Sequence, residues 1–273
     1  MRLASTRKAN QFLQSIQSRA KTDKLDSRGL AQFGLACELP VYPLKEPDVE
    51  TLDQLLSARK GLAKSITNLQ LQQQSLPQAA SVLEAVVADL KRHQKDLDVR
   101  IAALVKQTPA FEGVARLDGI QGIGPVTATA VCSRLVSKGF ASPDAFVAYI
   151  GMDITVRQSG KRRGELGLPK QGDAELRRLL YCAAQANLRC KDSPFKDYYG
   201  RARERGLSST AALCSVARKL ARVCWSVQKH GTQYDASLVS QPHPPKGEGA
   251  QTQEKPKPGP AATILHSPLD KQP

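Results

Sequence analysis

Two heptad-spaced series joined by a proline constrain this chain more than any other feature in it. From Leu52 onward, apolar or long side chains recur at alternating steps of three and four: Leu52, Leu55, Arg59, Leu62, Ile66, Leu69, Gln73 and Leu76. A second series follows with Leu83, Val86, Leu90, His93, Leu97, Ile101 and Leu104. Such spacing lays one narrow stripe along a helix, and a narrow stripe pairs with a second helix. Pro77 stands between the two series, and proline neither donates to a helix interior nor fits one. The predicted element is an antiparallel coiled-coil hairpin over 46–108. Its polar seam residues Arg59, Gln73 and His93 read either as register or dimer devices or as wet positions on a two-helix arm.

Charge supplies the next constraint. Of 273 residues, 40 are Lys or Arg and 25 are Asp or Glu, a net charge of +15. Residues 1–30 carry +5 and residues 157–222 carry +10, while the stretch 31–156 comes to −1. Two basic regions flanking a neutral one suggest two surfaces for a polyanion, and nucleic acid is the expected partner. Scattered solvated lysines are the bland alternative, and they would not cluster. No stretch reaches the 18 to 20 apolar residues or so that span a bilayer, and Met1–Lys8 has no apolar core of a secretory signal. A soluble, cytoplasmic protein without membrane contact is expected. The six cysteines (Cys37, Cys132, Cys182, Cys190, Cys214 and Cys224) form no metal-ligand spacing with the four histidines and read as reduced core residues.

Past the arm the pattern stays helical. Between Leu117 and Val131 lie Gly119, Gly122 and Gly124, followed by Pro125 opening an apolar helix. Proline suits a first helical turn, and the glycines let backbone amides approach a phosphate at the positive end of that helix. The stretch looks like a helix-hairpin-helix with Gly122 and Gly124 as nucleic-acid contacts. The alternative is a tight turn whose glycines serve packing. Ser142 and Pro143 start a further helix that Gly151 ends. Residues 152–172 are irregular and basic. Asp173 caps a helix with Leu176, Leu179, Leu180, Ala183 and Ala184 on one face and Arg177 and Arg178 on the other. Helices near 195–205 and from Ser209 to His230 complete a mainly α fold. Residues 236–273 hold eight of the 17 prolines and are expected to be disordered.

Chemistry could reside in two places. Asp23 and Asp26 stand at i and i+3 on one helical face among Lys21, Lys24 and Arg28. They could hold a divalent cation, although spacing alone favours an N-cap aspartate beside a solvated charge. Ser159 sits in the run Gln158 to Gly164 beside Lys161, Arg162 and Arg163. A serine in that positive field could attack a phosphodiester. With no histidine nearby as base, a phosphate-gripping loop is the safer reading from chemistry alone.

Taken in order, these segments resemble the DEDD-type transposases and site-specific recombinases of the IS-one-ten insertion-sequence group, relatives of the pilin-gene invertases. Lys21–Arg28 resembles the family's stretch that supplies the third and fourth acids of a resolvase-like, RNase H-fold metal site. Residues 117–130, the run Phe146–Met152, Gln158–Gly164 and Leu176–Leu180 resemble the core of its transposase domain. The resemblance implies Mg²⁺ on Asp23 and Asp26, Ser159 as nucleophile, and Lys161, Arg162 and Arg163 on the scissile phosphate. It further implies DNA as substrate and a structured guide RNA as in several members; the seam of the arm adds the expectation of a homo-oligomer formed through it.

The implied layout is a resolvase-like remnant over 1–45, the coiled-coil arm over 46–108, a transposase domain with the helix-hairpin-helix over 109–235 and the tail over 236–273. In the family the first two acids precede the segment matched by Asp23, and no alternating strand pattern lies upstream of it here. The expectation is an N-terminally truncated copy that does not cut DNA alone. The competing functions are a non-catalytic basic helical DNA- or RNA-binding protein and a dimerising scaffold built on the arm.

Overall fold

The computed structural model describes residues 3–16, 22–39, 41, 44–153, 158–159, 162–163 and 172–240. It is mainly helical. Helices α1 (Thr6–Ile16) and α2 (Asp23–Ala36) pack together through Phe12 and Phe33, whose ring centroids lie 5.3 Å apart.

Helices α3 (Pro47–Ser75) and α4 (Ala80–Gln107) follow, with Pro77–Ala79 as a single 3-10 turn between them. Asp48 of α3 accepts a hydrogen bond from Thr108 just past α4, at 2.9 Å, and Arg59 pairs with Asp98. One partner advances along α3 as the other retreats along α4, so the helices run antiparallel. The seam on α3 is the expected one, with Leu52 and Ile66 buried and Arg59 and Gln73 half-buried.

On α4 the seam departs from expectation. Val87 and Gln94 face the partner helix, whereas Val86 and His93 are exposed. The observed series Leu83, Val87, Leu90, Gln94, Leu97, Ile101, Leu104 keeps strict alternation of four and three. A series through Val86 and His93 needs two successive steps of four at 93–97–101, which walks the stripe around the helix. His93 instead faces solvent between Asp89 and Asp96, at 3.7 and 3.8 Å.

The rest of the chain closes around one long helix. A 3-10 turn (Pro109–Phe111) buries Phe111, then come α5 (Gly113–Asp118), α6 (Pro125–Lys138) and α7 (Pro143–Ile150). Two short antiparallel strands, β1 (Gln158–Ser159) and β2 (Arg162–Arg163), precede α8 (Ala174–Arg189), α9 (Pro194–Glu204) and α10 (Ser209–His230). Every predicted stop and start here has its local cause. Ser142 accepts from the amide of Ala145 at 3.1 Å, and Asp173 accepts from those of Glu175 and Leu176 at 3.0 Å. Gly231 leaves α10 with a φ of 65°.

Helix α10 packs against α5 to α9. Its inner stripe runs Ala212, Leu213, Val216, Ala217, Leu220, Ala221, Cys224, Val227, a helical period in which the alanines let neighbours approach closely. Residues 236–240, expected within a disordered tail, carry α11 (Ser237–Ser240), because Val239 finds an apolar site in the core beside α9. Residues 241–273 lie outside the described residues. Cys132 and Cys224 are core residues as expected, with thiols pushed up to about 12 by burial. Cys182 departs from that reading: it is exposed on the outer face of α8. Among the described residues no helix is long and apolar enough to cross a membrane.

Candidate active site and nucleic-acid interface

The serine segment joins the end of α7 to the start of α8 in sequence, and these two points are bound to each other. Gly151 adopts a φ of 74°, and the Met152 amide donates back to the carbonyl of Val147 at 3.1 Å. The amide of Asp173 donates to the Tyr149 carbonyl at 3.1 Å. Gly172, with a φ of 130°, lies against the same strand of backbone: a Cβ there would come within 2.8 Å of the Gly151 nitrogen.

Two arginines brace this neck from opposite helices. Arg177 of α8 donates to the Ile150 carbonyl at 2.7 Å, and Arg218 of α10 donates to the Met152 carbonyl at 2.8 Å. Burial, together with nearby Arg222, holds the Arg218 guanidinium below its ordinary value. Beyond the neck the segment pairs with itself, Gln158 opposite Arg163 and Ser159 opposite Arg162. Lys161, between these strands, lies outside the described residues.

The other expected contacts fall into distinct surroundings. Arg177 is half-buried and serves the neck, a task inside the fold. Arg178 is exposed and donates to Glu175 at 2.6 Å. Gly122, with a φ of 80°, packs onto α8: an added Cβ would come within 2.7 Å of the Ala183 carbonyl and 2.8 Å of Asn187 Cγ. Gly124 has no atom within 4 Å of such a Cβ, so the surface beside the start of α6 is open. Asp23 and Asp26 occupy the first turn of α2, and the cap is Thr22, whose hydroxyl accepts from the Leu25 amide at 3.3 Å. Among the described residues no group of three or more His, Cys, Asp or Glu side chains could hold a metal. Two carboxylates could supply part of a Mg²⁺ octahedron, leaving the remaining positions to water and phosphate oxygens.

Two polar assemblies escape the sequence reading. In one, Arg134 of α6 pairs with Asp53 of α3 and donates to Asp173 at 3.0 Å, while Ser133 donates to Asp53 at 2.8 Å and Lys45 at 2.6 Å. Burial alone would raise the Asp53 carboxyl, but Lys45, Ser133 and Arg134 outweigh it and hold it below its ordinary value. This relay ties the arm to the cap of α8. In the other, the fully buried Asn187 donates to the carbonyls of Gln121 and Ala183 at 2.6 and 3.0 Å and accepts from Ser193 at 2.8 Å. The sequence carried one faint signal for each: an arginine inside the apolar run of α6, and an asparagine on the apolar face of α8.

With this geometry in view, comparison with known proteins is informative. The family described as Transposase IS116/IS110/IS902 matches residues 114–200, from α5 into α9. That span takes in both glycines, the neck, the serine segment, Arg177 and Arg178. A probable family 20 transposase of Pseudomonas aeruginosa is 28% identical over 193 residues, 66% of this chain and 56% of the relative. An insertion element IS116 protein of Streptomyces clavuligerus is 30% identical over 172 residues, 60% of this chain and 42% of the relative. A pilin gene-inverting protein of Moraxella bovis is 25% identical over 239 residues, 83% of this chain and 72% of the relative. The chain thus spans about half the length of the first two relatives. Motif order, the matched span and these relatives agree: residues 114–200 match the IS116/IS110/IS902 family of transposases, and the chain around them is similar to proteins of that group.

Proposed function

We propose that this chain acts in DNA recombination, gripping duplex DNA with its basic surface and presenting Ser159 to a phosphodiester. The observation that carries this reading is the family match over 114–200, since Ser159, Lys161, Arg162 and Arg163 all lie within it. In the proposed step the serine hydroxyl oxygen bonds to phosphorus, and the bond from phosphorus to one bridging sugar oxygen breaks. The serine proton passes to the departing alkoxide. Attack on the serine–phosphate ester by a sugar hydroxyl of another strand then releases Ser159 and joins the strands, so phosphodiester bonds are exchanged without net hydrolysis. Lys161, Arg162 and Arg163 would hold the phosphate and offset the charge developing on its oxygens.

The finer features belong to the same proposal. Helices α5 and α6 with the turn between them are read as a helix-hairpin-helix, and the open surface at Gly124 supports an amide contact to phosphate there. The arm is read as a coiled coil that joins two copies, and exposed Leu71, Leu76, Val82 and Val86 around its turn support that reading. Asp23 and Asp26 are proposed as two Mg²⁺ ligands, with DNA phosphate oxygens and water needed to complete the set; no step above depends on the ion. A resolvase-like character for residues 1–45, a structured guide RNA and action in the cytoplasm are proposed from the resemblance alone.

A non-catalytic DNA-binding role is the second reading, favoured by the short donor set around Asp23 and Asp26. One experiment separates the two. The full chain is incubated with end-labelled duplex DNA and Mg²⁺, denatured, and resolved for label carried on protein. Label that is lost in Ser159→Ala, while DNA binding persists, supports recombination. Binding without any adduct favours the second reading.

A further inference from the structure

The stretch 31–156 is neutral as a whole, yet its cations are not evenly placed in space. Arg59, Lys60 and Lys64 fall within six residues of α3 with no acid among them. They line a groove of about 340 Å³ where α3 passes α6 and α8, and Arg178 of α8 faces it from the opposite wall. Glu175 is the acid lining this groove, against four cations. It lies 3.3 Å from Lys60 and 2.6 Å from Arg178, so one carboxylate draws cations of two helices toward the same channel. Lys64 makes no ion pair among the described residues. The lining includes aliphatic Val126 and Leu179, and among the described residues no aromatic side chain lines the groove.

We infer that this groove is a second DNA contact, a cradle for the sugar–phosphate backbone of a duplex where the arm meets the body. The inference rests on the DNA reading above and adds to it a surface outside the serine segment. Charge complementarity selects a polyanion: with the Asp98 partner of Arg59 counted beside Glu175, the cations exceed the acids by two, and Lys60 and Lys64 stand one helical turn apart on the same face. The absence of aromatic lining selects backbone over bases, because single strands are held by stacking on aromatic rings. Glu175 stays ionised beside its two partners, since Arg178 and Lys60 outweigh the effect of its burial.

The test compares the full chain with the triple variant Lys60→Gln, Lys64→Gln, Arg178→Gln by fluorescence anisotropy on duplex DNA over a salt series. Three lost phosphate contacts lower the slope of log K against log salt by about 2 to 3. Between 50 and 200 mM salt the variant then loses about 40-fold less affinity than the parent. Lys91→Gln with Lys95→Gln, exposed on α4 away from the groove, leaves the slope unchanged, and thermal melts of both variants match the parent. A triple variant with the parent's slope overturns the groove while leaving the DNA reading intact. A parent chain without salt-dependent DNA binding overturns both. A loss confined to an RNA hairpin run in parallel overturns DNA as the occupant.

Discussion

Gly122 and Asn187, replaced by alanine singly and together, test whether the glycine turn is shaped by packing. At Gly122 the backbone φ of 80° costs an L residue about 1–2 kcal/mol. The new Cβ also collides with the Asn187 amide and the Ala183 carbonyl, so Asn187 must move and give up at least one donor bond. That adds about 1–2 kcal/mol, for a total near 3. Asn187→Ala leaves the half-buried Gln121 carbonyl without its donor and the buried Ser193 hydroxyl without its acceptor, at about 2–4 kcal/mol together. In the double variant the collision with the amide no longer exists. Its loss should fall short of the sum by about 1–3 kcal/mol. Urea unfolding followed by the single tryptophan, Trp225 on α10, gives all four free energies. Additivity within about 0.5 kcal/mol would refute the packing argument. DNA affinity per folded molecule should be unchanged in Gly122→Ala, whereas Gly124→Val, with open space at its Cβ, should keep its stability and lose affinity.

Other outcomes follow from the arm, the relay and the thiols. Val87→Ala should cost about 1.5 kcal/mol and Val86→Ala under about 0.5, and the reverse order would reinstate the seam through Val86. Asp53→Asn should destabilise by about 2 kcal/mol at neutral pH. Because the folded-state carboxyl is held below 3.8, that gap persists down to about pH 4 and closes as pH falls further and the parent's carboxylate is protonated; a pH-independent gap in urea titrations would contradict the ion pairing. In the native protein a thiol reagent should label Cys182 quickly and leave Cys132 and Cys224 unmodified until unfolding, as read by mass spectrometry of peptides.

Local rules made much of this fold legible. Caps and stops such as Ser142, Gly151, Asp173 and Gly231 act within four residues of their own position, so a linear reading finds them. The arm was readable because Pro77 divides two periodic stripes. Its register on α4 is ambiguous in the sequence because Val86 and Val87 are both apolar, and only the facing surface of α3 decides between them. The packing that shapes Gly122 is hidden from the sequence for a related reason. Its neighbour Asn187 lies 65 residues away, and sequence spacing says nothing about such a meeting. Arg134 has no distinguishing spacing in the sequence, because Asp53 of α3 and Asp173 at the cap of α8 meet it only in the fold. The serine motif could be located from residue types alone, but the brace by Arg218 depends on how α10 lies against α7.

The attachment of the arm has a mechanical consequence. Asp48, Asp53, Arg59 and Lys60, which tie α3 to its surroundings, all lie in its first half, and the relay through Arg134 joins it to the body. From Lys60 to Ser75 the helix extends a further 22 Å or so, making it a lever pivoted near its base. A tilt of about 10° at the pivot carries the turn at Pro77 roughly 4 Å sideways. Whatever seats on the apolar side chains around that turn therefore feels each small rotation at Asp53 magnified. Conversely, a load applied at the turn arrives at Asp173, the residue that caps α8 and closes the neck of the serine segment.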